Sequence, residues 1–326
     1  MSEPAPFPDD RPRAPTVRSR LMLEVASELV GLPDWDAKQA RIQLRIQGPN
    51  PWEVGLLASD GPSGVTDVMA GDAAFAIINP AGAAPSAAAR AGFEPHDLAA
   101  IATVPSYDQL GLAIHSSFGI RSLEDLAEKR PPLRVSLRGQ RDHSVHQVVD
   151  DVLASIGISL ADVKAWGGQV LYQEGLPHRA PRKTAMADGT IDAVFDEGIY
   201  NWVDLATDAG MRFIPIEGAA LQALEAKGYR RSALTIDRFP SLPADVTTLD
   251  FSGFMIYTRS NAAESLVRMF CVALERRSDR IPWQGGPSLP LARMVSDAVD
   301  APLTLSLHPA AAEHWRQSGI LGSGVP

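Results

Sequence analysis

The segment 132–156, PLRVSLRGQRDHSVHQVVDDVLASI, limits the possible folds more than any other stretch of the chain. An apolar run over 133–137 gives way to a polar loop, Arg138-Gly139-Gln140-Arg141-Asp142-His143-Ser144. Val145, Val148, Val149, Val152 and Leu153 then recur at helical spacing. A strand that feeds a glycine loop that feeds a helix is the repeating unit of an α/β sheet, and the helix start leaves backbone N–H groups free. With Arg138 and Arg141 in the loop, the step suits an anion, above all a carboxylate. The lysine and the glycine spacing of a nucleotide phosphate loop are both missing.

Short strands and helices alternate elsewhere too. Residues 41–47, 74–78, 101–104, 110–114, 192–195, 212–216 and 254–257 read as strands. Residues 83–91, 123–129, 182–188, 199–209, 218–227 and 262–277 read as helices, and Thr16 caps another that Gly31 and Pro33 end. The pattern predicts an α/β chain with mostly parallel sheets. At 326 residues it has room for two lobes. A net charge of -9 argues against a nucleic-acid surface. The single Cys271, in an apolar stretch, is expected as a small buried hydrophobe and leaves no disulfide within one chain. Residues 1–15 are polar and proline-rich, hence a loose arm rather than a secretory signal, and no window supplies the ~18 apolar residues of a membrane span. The expected location is the cytoplasm, or the periplasm for a chain whose leader has been removed.

Several stretches, in order, carry a resemblance. Gly71-Asp72-Ala73-Ala74-Phe75-Ala76 resembles the acidic turn and buried strand of periplasmic solute-binding proteins. Gly119-Ile120-Arg121-Ser122-Leu123-Glu124-Asp125-Leu126 resembles their step into the second lobe, and Asp188-Gly189-Thr190-Ile191-Asp192-Ala193 a later one. Leu307-His308-Pro309-Ala310-Ala311, with Trp315 and Gly319, is similar to the ending of the TAXI branch of TRAP-transporter receptors. The likeness spans residues 71–319. It implies a type-II periplasmic-binding-protein fold: two α/β lobes joined by a strand hinge, closing on a small ligand in the cleft between them. Residues 16–112 and 249–326 would form lobe I and residues 113–248 lobe II. Two departures stand out. No strand precedes Val17, and the family's Ser/Gly/Thr ligand loop is here the Arg138-to-Ser144 segment.

The carboxyl ends of strands face the crevice of such sheets, which selects the candidate residues. His143, at the loop-to-helix junction, and Glu197, after the strand 192–195, are the candidate acid/base pair. An imidazole beside a carboxylate is expected to have its pKa raised toward neutrality. Arg138, Arg141, Ser144 and Tyr200 in the second lobe, and Asn50, Trp52, Asn79 and Ser106 in the first, are candidate ligand contacts. The faces taken by His146 and Asp196 stay open, and the turns at 48–52 and 79–80 form without any ligand. No metal and no cofactor are expected, since histidine spacing at 143 and 146 is common by chance and no nucleophile or dinucleotide motif is present. Two readings remain. One is a binder of a small organic anion, aromatic or dicarboxylic, with a membrane transporter unlikely as partner where no leader is present. The other is a decarboxylase or lyase on the same fold, with His143 and Glu197 as acid and base. Fold alone does not choose between them.

Overall fold

The structure is a computed structural model that describes residues 14–31, 39–46, 52–59 and 61–322. Its strands are β1 (Ala40–Ile46), β2 (Trp52–Ala58), β3 (Phe75–Ile78), β4 (Leu98–Val104), β5 (Gly111–His115), β6 (Arg134–Arg138), β7 (Gln169–Gln173), β8 (Ala193–Asp196), β9 (Met211–Phe213), β10 (Arg231–Leu234), β11 (Val246–Leu249) and β12 (Phe254–Arg259). They form two five-stranded sheets, ordered β1-β2-β3-β12-β4 and β7-β6-β8-β5-β9, and a β10-β11 ribbon. Each large sheet is the centre of one lobe. The near-continuous apolar run of β4 is buried along its length, as it must be in a sheet covered by helices on both faces.

Sequence periodicity predicts mostly parallel sheets, and each sheet departs from that. β2 runs parallel to β3, and β6 runs parallel to both β7 and β8. β12 is antiparallel to β3 and β4, and β5 is antiparallel to β8 and β9. These two strands are the ones that follow a passage between lobes, β4 to β5 and β11 to β12. A chain arriving directly from the other lobe makes no crossover helix, so it enters against the grain of the sheet. β1, at the edge of the first sheet, is also antiparallel to its neighbour β2. This double passage, with one strand in each sheet reversed where the chain returns from the other lobe, is the two-lobed, type-II periplasmic-binding arrangement.

The two passages lie side by side as a hinge. Phe251 N donates to Asp108 O at 2.9 Å, Gly253 N to Ser106 O at 2.9 Å and Leu110 N to Leu249 O at 3.0 Å. Asn79 Nδ2 adds bonds to Phe251 O and Gly253 O at 3.3 and 3.2 Å. The helix Glu264–Arg277 packs on the first sheet together with the helix Pro309–Gln317, and Cys271 is buried there. Trp315 fills that layer, its indole N–H donating to Ile101 O at 3.0 Å.

Four strands were not apparent from periodicity. β2 reads as the tail of a proline turn, β7 as a Trp-Gly-Gly turn, and β10 and β11 as part of a turn-rich stretch. β7, β10 and β11 are short, and in none of the four do apolar residues alternate over enough positions to declare a period. The helix Ala14–Gly31 begins two residues before Thr16, and its Val17, Leu21, Val25 and Leu29 are exposed. Among the described residues, no helix is long and apolar enough to cross a membrane.

Candidate functional site

Register assembles the candidate site. β6 and β8 are parallel neighbours with Ser136 opposite Val194, so two residues further on Arg138 and Asp196 come level at the strand ends. Arg138 Nη2 donates to Asp196 Oδ1 at 2.7 Å and also to Glu197 Oε1. The second oxygen of Asp196 accepts from Arg182 Nη1, whose side chain is wholly buried. Arg182 is fixed in turn by Ser136 Oγ and Gly175 O, both at 3.0 Å. Burial would raise the Asp196 carboxyl, but Arg138 and Arg182 outweigh it and hold the group below the ordinary carboxylate range.

Glu197 meets the hinge. Its carboxyl is hydrogen-bonded to that of Asp108, which sits on the passage between β4 and β5. Burial pushes Glu197 up to about 8 against the pull of Arg138, and the Asp108 charge adds to the push. Burial raises Asp108 as well, yet Asp108 accepts backbone N–H bonds from Gln109, Gly198 and Ile199 at 2.8, 2.7 and 3.2 Å. Those three donors favour ionised Asp108, so the proton shared by the pair belongs to Glu197. Near neutral pH, Glu197 therefore donates to Asp108 and accepts from Arg138.

His143 caps the helix Ser144–Ser155, with Nδ1 accepting from Val145 N at 3.1 Å. That bond puts the proton of the neutral ring on Nε2, which lies 3.9 Å from Glu197 Oε1 and 3.3 Å from Arg138 Nη1. The ring stacks at 6.2 Å, nearly parallel, on Phe251 of the hinge. The sequence predicts a raised imidazole pKa; the structure gives the reverse. Burial pushes His143 down to about 4 and the Arg138 charge adds to this, overcoming the attraction of Glu197 and Asp196. An imidazole enclosed beside a guanidinium cannot afford a second positive charge.

The remaining candidates are dispersed. Arg141 lies on the Tyr172 ring, 3.6 Å from its centroid, and His146 tilts against the same ring. Ser144 is buried in the first helical turn. Tyr200 is 71% exposed, edge-on to Phe239 at 6.3 Å. Ser106 Oγ donates to Gln284 Oε1 at 3.3 Å, and Asn79 is committed to the hinge. Trp52 starts β2, a strand whose other end reaches the cleft about 20 Å away at ~3.3 Å per residue. Asn50 lies outside the described residues.

Sequence reasoning missed Asp108 and Arg182, and read Phe251 as a hinge residue without its stacking on His143; only the packing of the hinge and the second lobe brings these groups to Arg138. It also missed the first-lobe loop after β2. There Gly61 approaches so closely that a Cβ on it would sit 1.9 Å from Asp142 O, which seats this loop on the Arg138-to-Ser144 loop. The step from strand to glycine to helix was the available signal, hidden because β2 was not recognised. Arg138 Nε, Arg182 Nη2 and Gln140 Nε2 are buried and unpaired among the described residues. No group of three or more His, Cys, Asp or Glu that could hold a metal occurs among the described residues.

No protein-family model and no curated protein matches the chain by sequence. Solved structures similar to it include a Xanthomonas citri protein bound to chloride, at 13% identity over 80% of this chain and 81% of that one, with a TM-score of 0.41. A TctC solute-binding protein from Polaromonas is 13% identical over 62% of each chain, with a TM-score of 0.34. PEB3 from Campylobacter jejuni is 13% identical over 66% of this chain and 78% of that one, with a TM-score of 0.26. At such values the fold assignment rests on the strand order above, and nothing about ligand or activity passes from these proteins to this chain.

Proposed function

We propose that the protein binds a small organic anion, a carboxylate of aromatic or dicarboxylic type, between its lobes, as an atypical relative of TAXI-type receptors. The observation that carries this reading is Arg138: an almost buried guanidinium at a strand end, aimed by Asp196 and Glu197, with Nε unpaired. Donors held in that way are prepared for an acceptor-rich group, because burial without a partner costs about 1–3 kcal/mol per group. Glu197 occupies one Arg138 nitrogen as a neutral carboxyl near pH 7, so an incoming carboxylate meets a cation already shared with only one full charge, that of Asp196. Titration calorimetry with benzoate and succinate tests the reading. Arg138→Gln is expected to weaken binding roughly tenfold to a hundredfold, the loss of one charge-assisted contact of about 1.5–3 kcal/mol. Equal affinity in parent and variant would reject Arg138 as the anchor.

One observation favours a second reading, an enzyme of decarboxylase or lyase type. Glu197 keeps its proton up to about 8, and the Nε2–H of a neutral imidazole stands 3.9 Å away, which pairs a general acid with a second hydrogen-bond donor near neutral pH. Product formation separates the two. An enzyme loses turnover in Glu197→Gln or His143→Gln while still binding its substrate, and a binder forms no product in any variant.

A further inference from the structure

The lobes also meet along a second seam, away from the strand ends. The helix Ala83–Arg90 of the first lobe faces the helix Ser144–Ser155 of the second, and Gln147 Nε2 donates to Ala83 O at 3.2 Å. One turn further, Asp151 is 2% exposed and receives four donors. Ser86 Oγ and Tyr229 OH bond its Oδ2 at 2.6 and 2.7 Å. Arg90 Nη2 and Lys227 Nζ share its Oδ1 at 2.9 and 2.6 Å. Beside this knot lies a cavity of about 750 Å³ with walls from both lobes, where Pro85, Ala89, Ala154 and Ala226 are apolar lining and Arg90 and Lys227 are the cations. Glu225, on the same wall, is engaged by Arg231 at 3.3 Å.

The charge balance here is the inverse of that at the strand ends. There, Asp108, Asp196 and Glu197 surround Arg138 and Arg182; here two cations converge on Asp151, itself saturated by four donors, while Asp150 acts on Arg90 from a distance and Glu225 is engaged by Arg231. The ammonium and the guanidinium are each more than two-fifths exposed, so both keep donors for a further partner. A volume of this size with a mostly apolar wall and a few converging polar groups is typical of small-molecule sites. We propose that this cavity is a second binding site, for a small amphipathic monocarboxylate. Its carboxylate joins Arg90 and Lys227, and its hydrocarbon body covers Pro85, Ala89, Ala154 and Ala226.

The test is a titration of the full chain, labelled with ¹³C at alanine methyls, with butanoate, pentanoate and hexanoate, followed by NMR. The expected result is a common saturation of shifts at Ala89, Ala154 and Ala226. Affinity rises about fourfold per added methylene, the burial of one CH₂ at ~0.8 kcal/mol. Lys227→Gln, which keeps a hydrogen-bond donor at a half-exposed side chain and removes its charge, weakens hexanoate about tenfold, and its thermal melt is recorded alongside so that binding is compared on folded protein. Three results overturn the proposal: unshifted resonances at the three alanines, shifts with no dependence on chain length, or a Lys227→Gln titration that superposes on the parent's. Shifts confined to other alanines place the carboxylate elsewhere and overturn it too.

Discussion

At the scale of single residues, the site is a set of opposed proton affinities. Glu197 is raised from 4.5 to about 8, so the folded state binds its proton more tightly than the unfolded chain does. The stability it contributes is complete below 4.5 and is lost as pH rises through about 8. His143 is lowered from 6.5 to about 4, so its contribution is present above 6.5 and is lost as pH falls. Between about 4.5 and 6.5 the two slopes oppose each other, and above 6.5 only Glu197 acts. The melting temperature of the parent is therefore expected to fall between pH 6.5 and 8. Glu197→Gln, which keeps the hydrogen bonds and removes the titration, flattens that limb. A parent curve already flat over this range, measured by thermal denaturation at constant ionic strength, would remove the proton from the Asp108–Glu197 pair.

At the scale of elements, the hinge depends on one backbone position. Gly253 precedes β12 with φ at 78°, and a Cβ there would lie 2.6 Å from Thr103 Cγ2 and 2.8 Å from Pro302 Cδ. Gly253→Ala meets both a strained dihedral and a crowded site, and is expected to cost about 1–3 kcal/mol in chemical denaturation, more than a surface Gly→Ala change. An effect below about 0.5 kcal/mol would mean that the returning passage yields easily at this point. The same elements show how far the sequence could be read. β6 and the helix after it carry a long apolar period and a glycine loop, and from these the placement of Arg138 and His143 at a strand end was legible. β8 was legible as an apolar run, which sent Glu197 to the same sheet edge. Asp108 was not, because nothing in Pro105-Ser106-Tyr107-Asp108 states that the turn is a passage between lobes that folds back on Gly198. Arg182 stands on a short helix among exposed charges, and its complete burial follows from the packing of that helix over β6 and β8 rather than from any local pattern. Trp52 was misplaced for a related reason: a strand beginning immediately after two prolines was read as turn.

At the scale of the whole molecule, three separate contacts decide how the lobes stand: the hinge, the seam at Asp151 and the seat of Gly61 on Asp142. The hinge is backbone pairing between two extended passages, with Asn79 and Ser252 adding side-chain bonds. The seam at Asp151 is different, since Ser86 and Arg90 come from the first lobe while Asp151, Lys227 and Tyr229 belong to the second. Burial alone would raise Asp151, but Lys227, Ser86, Tyr229 and Arg90 together hold it below the ordinary range, so the carboxylate is ionised and the contact is charged. Asp151→Asn keeps the shape and removes the charge. The cost is expected at about 1–3 kcal/mol, below that of a fully buried ion pair because the cationic heads of Arg90 and Lys227 reach solvent. If the charge holds the lobes together, part of that cost appears as opening: small-angle scattering shows a larger radius of gyration for Asp151→Asn, and Ser86→Ala, which removes a bond only across the seam, moves in the same direction by less. A variant that melts earlier while keeping the parent's radius would assign Asp151 to the stability of the second lobe alone, and the closed arrangement would then rest on the hinge and on the contact of Gly61 with Asp142.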